Sequence, residues 1–486
     1  MNPLKRPTLL AILVGSIGLT GCLGSSNDSD DPDPRPQQVR INQGFFTIDE
    51  SALPFDALAP AAPYTTTSRW SGVLDGAAYR VEVPENWNGY LVMWAHGYRG
   101  TGAALTVDNP PMRQYLIDNG YAWAASSYST NFYDVRAGVE DTNALALAFT
   151  DIAAENGRTL AEPTKYYITG ASMGGHVTAA AVERETLDTA NNVVEYSAAA
   201  PFCGVVGDTE LFNYFGGYNL SLFALAGVPA DSFPVAPADA AAKVAAARAA
   251  LWVDYDANPN ANGLTTEGLG LYQTLKNLSG GERPIYPLSF GGFQDLLQSF
   301  AGSDGTVDGI FQESVINTED LTYRFQTELG QPLTTAEINF NAAILKADAD
   351  VDSVNALRSD GLRWVPKVNG EFDVPVLTAH TIGDLFVPIL MEQVYRQRAE
   401  DQGSADNLVQ RAMRAPGHCD FTMTEWTQTL DDLLTWEQTG VKPGGDDWLT
   451  PATVADPEFG CTYTNNAGEI PGNVERSLMP PCPAPL

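Results

Sequence analysis

Ser172 stands between two glycines in Gly170-Ala171-Ser172-Met173-Gly174. A serine hydroxyl attacks a carbonyl carbon only when a base takes its proton and donors stabilise the oxyanion that forms. Four histidines are available as the base. His418, in Ala415-Pro416-Gly417-His418-Cys419, sits on a loop between a strand and a helix and is assigned that role. His176 lies one turn along the helix after Ser172, where its ring should point away from the hydroxyl. His96 ends an apolar strand upstream of the serine. His380 ends another strand and reads as a hydrogen-bonded structural residue, second to His418 as a base. For the acid that orients the imidazole, Asp384 in Gly383-Asp384-Leu385-Phe386-Val387-Pro388 leaves room for one helix and one strand before His418. Asp208 is the alternative, and Asp420 is too close to His418 in sequence to reach round its ring. One oxyanion donor is the N–H of Met173, and the other is assigned to Tyr98 in His96-Gly97-Tyr98-Arg99-Gly100.

The elements around these residues explain how they could meet. Lys165-Tyr166-Tyr167-Ile168-Thr169 has strand character, and Gly175 to Val182 reads as a helix, so Ser172 falls on a strand-to-helix turn. Small neighbours let the two elements approach while the hydroxyl stands exposed on a strained backbone. Further strands are expected at Ala78–Val83, Tyr90–Ala95, Tyr121–Ser126, Val193–Ala199, Val374–Ala379 and Leu408–Met413. Helices are expected at Met112–Asp118, Asp141–Glu155, near Ile389–Ala399 and at Thr424–Thr439. The pattern is that of an α/β protein.

Between roughly Asp208 and Arg363 the alternation stops, and the segment reads as helical and aromatic-rich. Ala238–Trp252 is an alanine-rich helix, and Phe293, Leu296, Leu297 and Phe300 share one helical face. Thr334-Thr335-Ala336-Glu337 is a capping box. The aromatic stripes read as core before they read as substrate contacts.

His96-Gly97-Tyr98, Gly170-Ala171-Ser172-Met173-Gly174, Gly383-Asp384 with Val387-Pro388, and Gly417-His418 occur in the order serine, aspartate, histidine. In this the chain resembles the α/β-hydrolase superfamily from about Ala78 to Thr439. The resemblance implies a mostly parallel central sheet flanked by helices, with a large, mainly helical cap inserted before the strand leading to the catalytic acid. The implied organisation is residues 41–207 and 367–440 as the hydrolase core, 208–366 as the cap or lid, and 441–486 as a C-terminal tail.

The first 21 residues carry Lys5 and Arg6 and then an apolar run from Leu9 to Leu19, too short to span a bilayer, and read as a cleaved export signal. Leu19-Thr20-Gly21-Cys22 resembles the lipobox of bacterial lipoproteins, which implies a lipid on Cys22 as a membrane anchor. Leu23, where inner-membrane retention would favour Asp, suggests the outer membrane of a Gram-negative cell. Residues 22–40, polar, acidic and proline-rich, read as a flexible tether.

With Cys22 so assigned, Cys203, Cys419, Cys461 and Cys482 remain, and an exported chain with an even number favours two disulfides in one of three connectivities. Cys461–Cys482 suits a local staple of the tail. The hydrolase topology implies Cys203–Cys419, since it places both loops on the active-site face. No metal site is assigned, because the spacings lack paired cysteines or nearby histidine ligands. The acidic clusters Asp304–Asp308 and Asp348–Asp352 read as solvated surface before they read as calcium ligands.

The formal charge is −33, and removing residues 1–21 takes away Lys5 and Arg6 and no acids, giving −35. Such a balance argues against nucleic acid as a partner. It fits a salty habitat or an ordinary acidic secreted protein, and names no substrate. The functional expectation is a serine carboxylester hydrolase needing no cofactor, acting on a small-molecule, lipid or polyester ester. The alternatives are a serine peptidase similar to the prolyl-oligopeptidase branch, and a non-catalytic binding lipoprotein on the same scaffold.

Overall fold

The computed structural model describes residues 36–58, 66–302, 315–348 and 354–466, together with Arg476, Met479 and Cys482. Eight strands form one sheet: β1 Thr67–Leu74, β2 Ala77–Pro84, β3 Tyr90–Ala95, β4 Ala122–Ser126, β5 Lys165–Ala171, β6 Ala198–Phe202, β7 Val376–Thr381 and β8 Leu408–Met413. Their spatial order is β1-β2-β4-β3-β5-β6-β7-β8. β2 runs antiparallel to β1 and β4, and every other pairing is parallel. This is the mostly parallel sheet that the resemblance implies.

A parallel strand with helices on both faces must be apolar throughout. β3, β4, β6, β7 and β8 are buried along their lengths apart from Tyr90; β3, β4 and β6 are mainly apolar, whereas β7 and β8 also bury Thr378, His380, Thr381, Gln410 and Arg411. The helices Val135–Leu147 and Met173–Ala180 cover one face, and Met423–Thr439 covers the other. Two expectations need correction here. The strand expected at Val193–Ala199 begins only at Ala198 and runs on through Pro201 to Phe202. The β-branched residues before it suggested strand, but Val193 is exposed and Tyr196 turns to donate its hydroxyl to Asn143 Oδ1 at 2.7 Å. The single helix expected at Asp141–Glu155 is two, Val135–Leu147 and Phe149–Glu155, and the first opens where Asp134 accepts the N–H of Ala137 at 3.0 Å. Within the first helix, a Cβ on Gly138 would lie 2.5 Å from Val177 of the elbow helix, so the two helices are closely packed there.

Between β6 and β7 the chain is helical, as expected, with helices at Glu210–Ala226, Pro237–Leu251, Gly268–Leu278, Tyr286–Ser289, Gln294–Ser299 and Thr335–Ala343. The capping box at Thr334 and Glu337 is formed. At the other end, Pro36–Asn42 is a helix, so the tether expected over 22–40 is ordered over its last residues. Arg40 lies over the Phe132 ring, 4.0 Å from its centroid, which fixes that helix to the core. The lipidation candidate Cys22, the export signal and Asp304–Asp308 lie outside the described residues, as does most of Asp348–Asp352.

Among the described residues, the tail beyond Val441 has little regular structure apart from the short helix Pro451–Val454, yet it packs closely. Trp448, Val454 and Phe459 bury against Ile285, Ile382, Ile389 and Ala412. Asp446 N–H donates to Gln410 O at 2.7 Å, and its carboxylate accepts Ala412 N–H at 2.8 Å. The backbone edge of β8 is thereby covered.

Candidate active site

At the end of β5 the chain must reverse into the helix Met173–Ala180 within one residue, and Ser172 does this at φ 59°, ψ −121°. Such a backbone is strained for a residue with a Cβ and persists where the surroundings enforce it. The enforcement is visible in the flanking glycines. A Cβ on Gly170 would stand 2.4 Å from Gly174 O, and one on Gly174 would stand 2.1 Å from Ala95 O. Both glycines are therefore required by the closeness of β3, β5 and the elbow helix.

Three elements converge on the serine. His418 Nε2 lies 2.8 Å from Ser172 Oγ, and its Nδ1 lies 2.5 Å from Asp384 Oδ2. The other carboxylate oxygen of Asp384 accepts the N–H groups of Phe386 at 2.9 Å and Val387 at 3.0 Å. Asp384 is fully buried, so its orientation is set by these bonds. The geometry lets the hydroxyl pass its proton to His418 while Asp384 holds the ring.

On the opposite side stands the loop after β3. A Cβ on Gly97 would come within 3.2 Å of both Ser172 Cβ and Ala171 O, so the loop touches the nucleophile's backbone. Tyr98 follows directly on this loop. Met173 opens the elbow helix, where its N–H has no acceptor one turn earlier within the helix. Gly97 thus lies against Ser172 on one side, with Tyr98 next along its loop, and Met173 follows the serine on the elbow helix. His96 anchors the loop: its ring stacks on Tyr128 at 4.0 Å, its Nε2 lies 3.0 Å from Ser127 O, and Arg99 donates to its Nδ1 at 3.1 Å. Burial and the neighbouring Arg99 push its pKa down to about 4.

The remaining candidates are held elsewhere. His176 is buried, with Nδ1 2.8 Å from the Tyr133 hydroxyl and Nε2 2.7 Å from Pro366 O. Asp208, the alternative acid, is buried and paired to Arg398 at 2.7 Å, and also accepts Val368 N–H at 3.0 Å. Burial alone would raise its pKa, but Arg398, the Val368 N–H and His176 together outweigh this and hold it below the ordinary carboxylate value. His380 lies behind Asp384 and does not reach Ser172; its Nε2 donates to Val387 O at 2.7 Å.

Cys203 and Cys419 are joined, with Cα atoms 5.3 Å apart, as are Cys461 and Cys482. The first bridge touches the reacting groups, because Cys419 Sγ lies 3.4 Å from His418 Nε2. Cys203, His418 and Cys419 are close enough together to suggest a metal site. Their two sulfurs are bonded to each other, so neither is a thiolate ligand.

Several contacts at the site had no signal in the residue pattern. Phe386 packs its ring edge-to-face on His418, centroids 5.2 Å apart, and stacks in turn on Phe215 and Phe300 of the inserted segment. Phe215 and Phe300 are buried core, as the aromatic stripes suggested, whereas Phe386 is only partly covered. The inserted segment also donates three hydrogen bonds to the loops that carry the triad. Tyr214 Oη donates to Leu385 O at 2.8 Å, Arg283 Nε to Ile382 O at 2.7 Å, and Ser289 Oγ to Pro416 O at 3.0 Å.

No family model matches the chain. It is similar to the o-phthalyl amidase of Xanthobacter agilis, at 22% identity over 423 residues, covering 76% of this chain and 87% of that protein. Among solved structures, it is similar to feruloyl esterase B from Aspergillus oryzae, with 15% identity, 78% of this chain and 81% of that one covered, and a TM-score of 0.40. It is also similar to the rice cell wall degrading esterase LipA from Xanthomonas oryzae, with 13% identity, 75% and 85% covered, and a TM-score of 0.35. At these values neither structure bears on substrate. The α/β-hydrolase fold follows from the strand order and from the serine's place between β5 and its helix.

Proposed function

We propose that this chain of α/β-hydrolase fold is a serine hydrolase that cleaves carboxylic esters through an acyl-enzyme. Ser172 attacks the carbonyl, His418 takes its proton, and Asp384 holds and stabilises the imidazolium. The N–H groups of Met173 and Tyr98 receive the oxyanion. The alcohol leaves with the proton from His418, and water then repeats the sequence on the acyl-enzyme. The observation that carries this reading is the continuous contact from Ser172 Oγ through His418 to buried Asp384, at 2.8 and 2.5 Å. The expected substrates are esters of small molecules, lipids or polyesters, met by an exported enzyme anchored through lipid on Cys22; the lipobox-like Leu19-Thr20-Gly21-Cys22 supports that placement.

Amide cleavage is a second reading, favoured by the likeness to an amidase. The same acyl-enzyme serves both, and the amide demands more of His418 as a proton donor to the leaving nitrogen. A fluorophosphonate probe tests the shared mechanism: it should label the native chain and leave Ser172→Ala unlabelled. Labelling that survives Ser172→Ala sinks the assignment. Rates on nitrophenyl esters beside the matching anilides then separate esterase from amidase.

A further inference from the structure

We infer that His380 and Glu392 are a buried imidazolium–carboxylate pair behind Asp384, positioning residues that set the electrostatic field on Asp384 and His418. The inference rests on the triad reading above and extends it by one layer.

Both side chains are fully buried, His380 at the end of β7 and Glu392 on the helix Leu390–Gln402. His380 Nε2–H donates to Val387 O at 2.7 Å, so Nδ1 is the nitrogen left to account for. It faces Glu392 Oε1 at 3.3 Å, a charge contact and not a well-aligned hydrogen bond, and neither atom has another partner. The second oxygen, Glu392 Oε2, accepts from Thr378 Oγ1 at 2.6 Å and Gln410 Nε2 at 2.5 Å. Two donors on one oxygen favour the carboxylate, which leaves the shared proton on the ring. Burial disfavours a cation there, but Glu392 and then Asp384 outweigh it and raise the His380 pKa above its ordinary value.

A helix could be tied to the sheet by Thr378 and Gln410 alone. What the imidazole adds is a charge beside the triad, since His380 Nε2 lies 4.0 Å from Asp384 Oδ2, the oxygen that accepts His418. The other charged and titratable groups around the pair are known. Arg396, one turn along the same helix, donates to Gln410 Oε1 at 2.8 Å, and Tyr395 lies beside it. Arg283 reaches in from the inserted segment to Ile382 O. From the tail come Asp446, bonded to Ala412 N–H, and the Trp448 ring, 6.3 Å from His380. Of these groups, His380 is in charge contact with Asp384, and the buried Arg283 guanidinium, which also acts on Asp384, is the same in native and variant chains.

The sign of the effect follows. A cation behind Asp384 stabilises its carboxylate and opposes protonation of His418, so His418 becomes the free base at lower pH. Glu392→Gln keeps the shape: its amide oxygen can accept from Thr378 and Gln410, and its NH2 can donate to a neutral His380.

The full chain, labelled with 15N-histidine, has only four imidazoles to resolve by NMR. At pH 7 His380 should be protonated on both nitrogens, and in Glu392→Gln on one. The titration midpoint of His418 should rise by about one pH unit in the variant. The acid limb of fluorophosphonate labelling at Ser172 should rise with it while the plateau rate stays close to native. A singly protonated His380 in the native chain overturns the inference, and that spectrum decides the matter even where the variant fails to fold. An unmoved His418 midpoint in folded Glu392→Gln overturns it too. Absence of labelling in the native chain would instead overturn the triad reading, leaving the protonation of His380 as a separate result.

Discussion

Removing the Cys203–Cys419 bridge should cost the protein both stability and rate. The bridge closes a sequence separation of 216 residues. By the chain-entropy relation a loop of that size gives about 5 kcal/mol at 25 °C, the upper end of the usual range. The effect on rate has a different origin. Cys419 adjoins His418, its backbone is left-handed at φ 54°, and its sulfur touches the imidazole. Without the bridge, the loop keeps Thr381 Oγ1 on Gly417 O at 2.8 Å and Ser289 Oγ on Pro416 O at 3.0 Å. Those contacts hold the residues before His418, and after it Asp420 O accepts from Arg476 and Phe421 is buried, so the bridge fixes Cys419, the residue between these anchors and the imidazole. A displacement of about 1 Å in a catalytic group costs roughly 100-fold, so a Cys203→Ala, Cys419→Ala chain should label about ten- to a hundredfold more slowly with fluorophosphonate. The control is Cys461→Ala with Cys482→Ala, whose separation of 21 gives about 3 kcal/mol by the same relation and which does not touch the triad. Denaturant titration gives the stability of each, and labelling is compared where all chains are folded. Native-like labelling by the folded Cys203→Ala, Cys419→Ala chain would refute the claim that this bridge sets His418.

Gly97→Ala should fold with nearly native stability yet label more slowly, since its new methyl meets Ser172 Cβ and Ala171 O at 3.2 Å; Gly174→Ala, 2.1 Å from Ala95 O, should fail to accumulate as folded protein. Thermal melts beside labelling rates separate the two, and a fast Gly97→Ala would remove that loop from the oxyanion site. Glu183 is buried, which pushes its pKa from 4.5 up to about 8 against the pull of the Gly370 and Glu371 N–H groups. A raised pKa gives stability that is full below pH 4.5 and lost as pH rises through about 8, at up to about 1.4 kcal/mol per unit. Glu183→Gln should flatten that slope in denaturant titrations across the window, and an unchanged slope would place the charge elsewhere.

The elbow and the meeting of Ser172, His418 and Asp384 were legible because each rests on a local pattern with a local cause. Gly170 and Gly174 are needed by backbone within a few residues or on the adjoining strand, and Gly383-Asp384 and Gly417-His418 follow directly on β7 and β8. The start of β6 was not legible, because a short strand between two covered neighbours is built from alanines whose small size matters more than their propensity. Asp208 shows the same limit from the other direction. It follows a strand, as an orienting acid should, and only its contact with Arg398, 190 residues on, shows that it holds the scaffold.

The inserted segment is where sequence and structure differ most in meaning. An insertion between two strands of a complete sheet reads as an addition that could be lifted away, and its helices were indeed expected. Yet Tyr214, Arg283 and Ser289 donate to carbonyls beside Asp384 and before His418 across 171, 99 and 127 residues of chain, and all three are buried. A carbonyl acceptor has no side-chain identity, so no residue pattern marks it as a partner. Breaking such bonds would leave buried groups unpaired at about 1–3 kcal/mol each. Ser289 also fills the space a Cβ on Gly383 would need, at 2.4 Å, so the acid loop and the segment are fitted to each other. Motion that lifted this part of the segment would release both loops and disperse the triad. The part that donates to the loops of Asp384 and His418 is therefore a fixed support of those loops, built into the core and not lying over it.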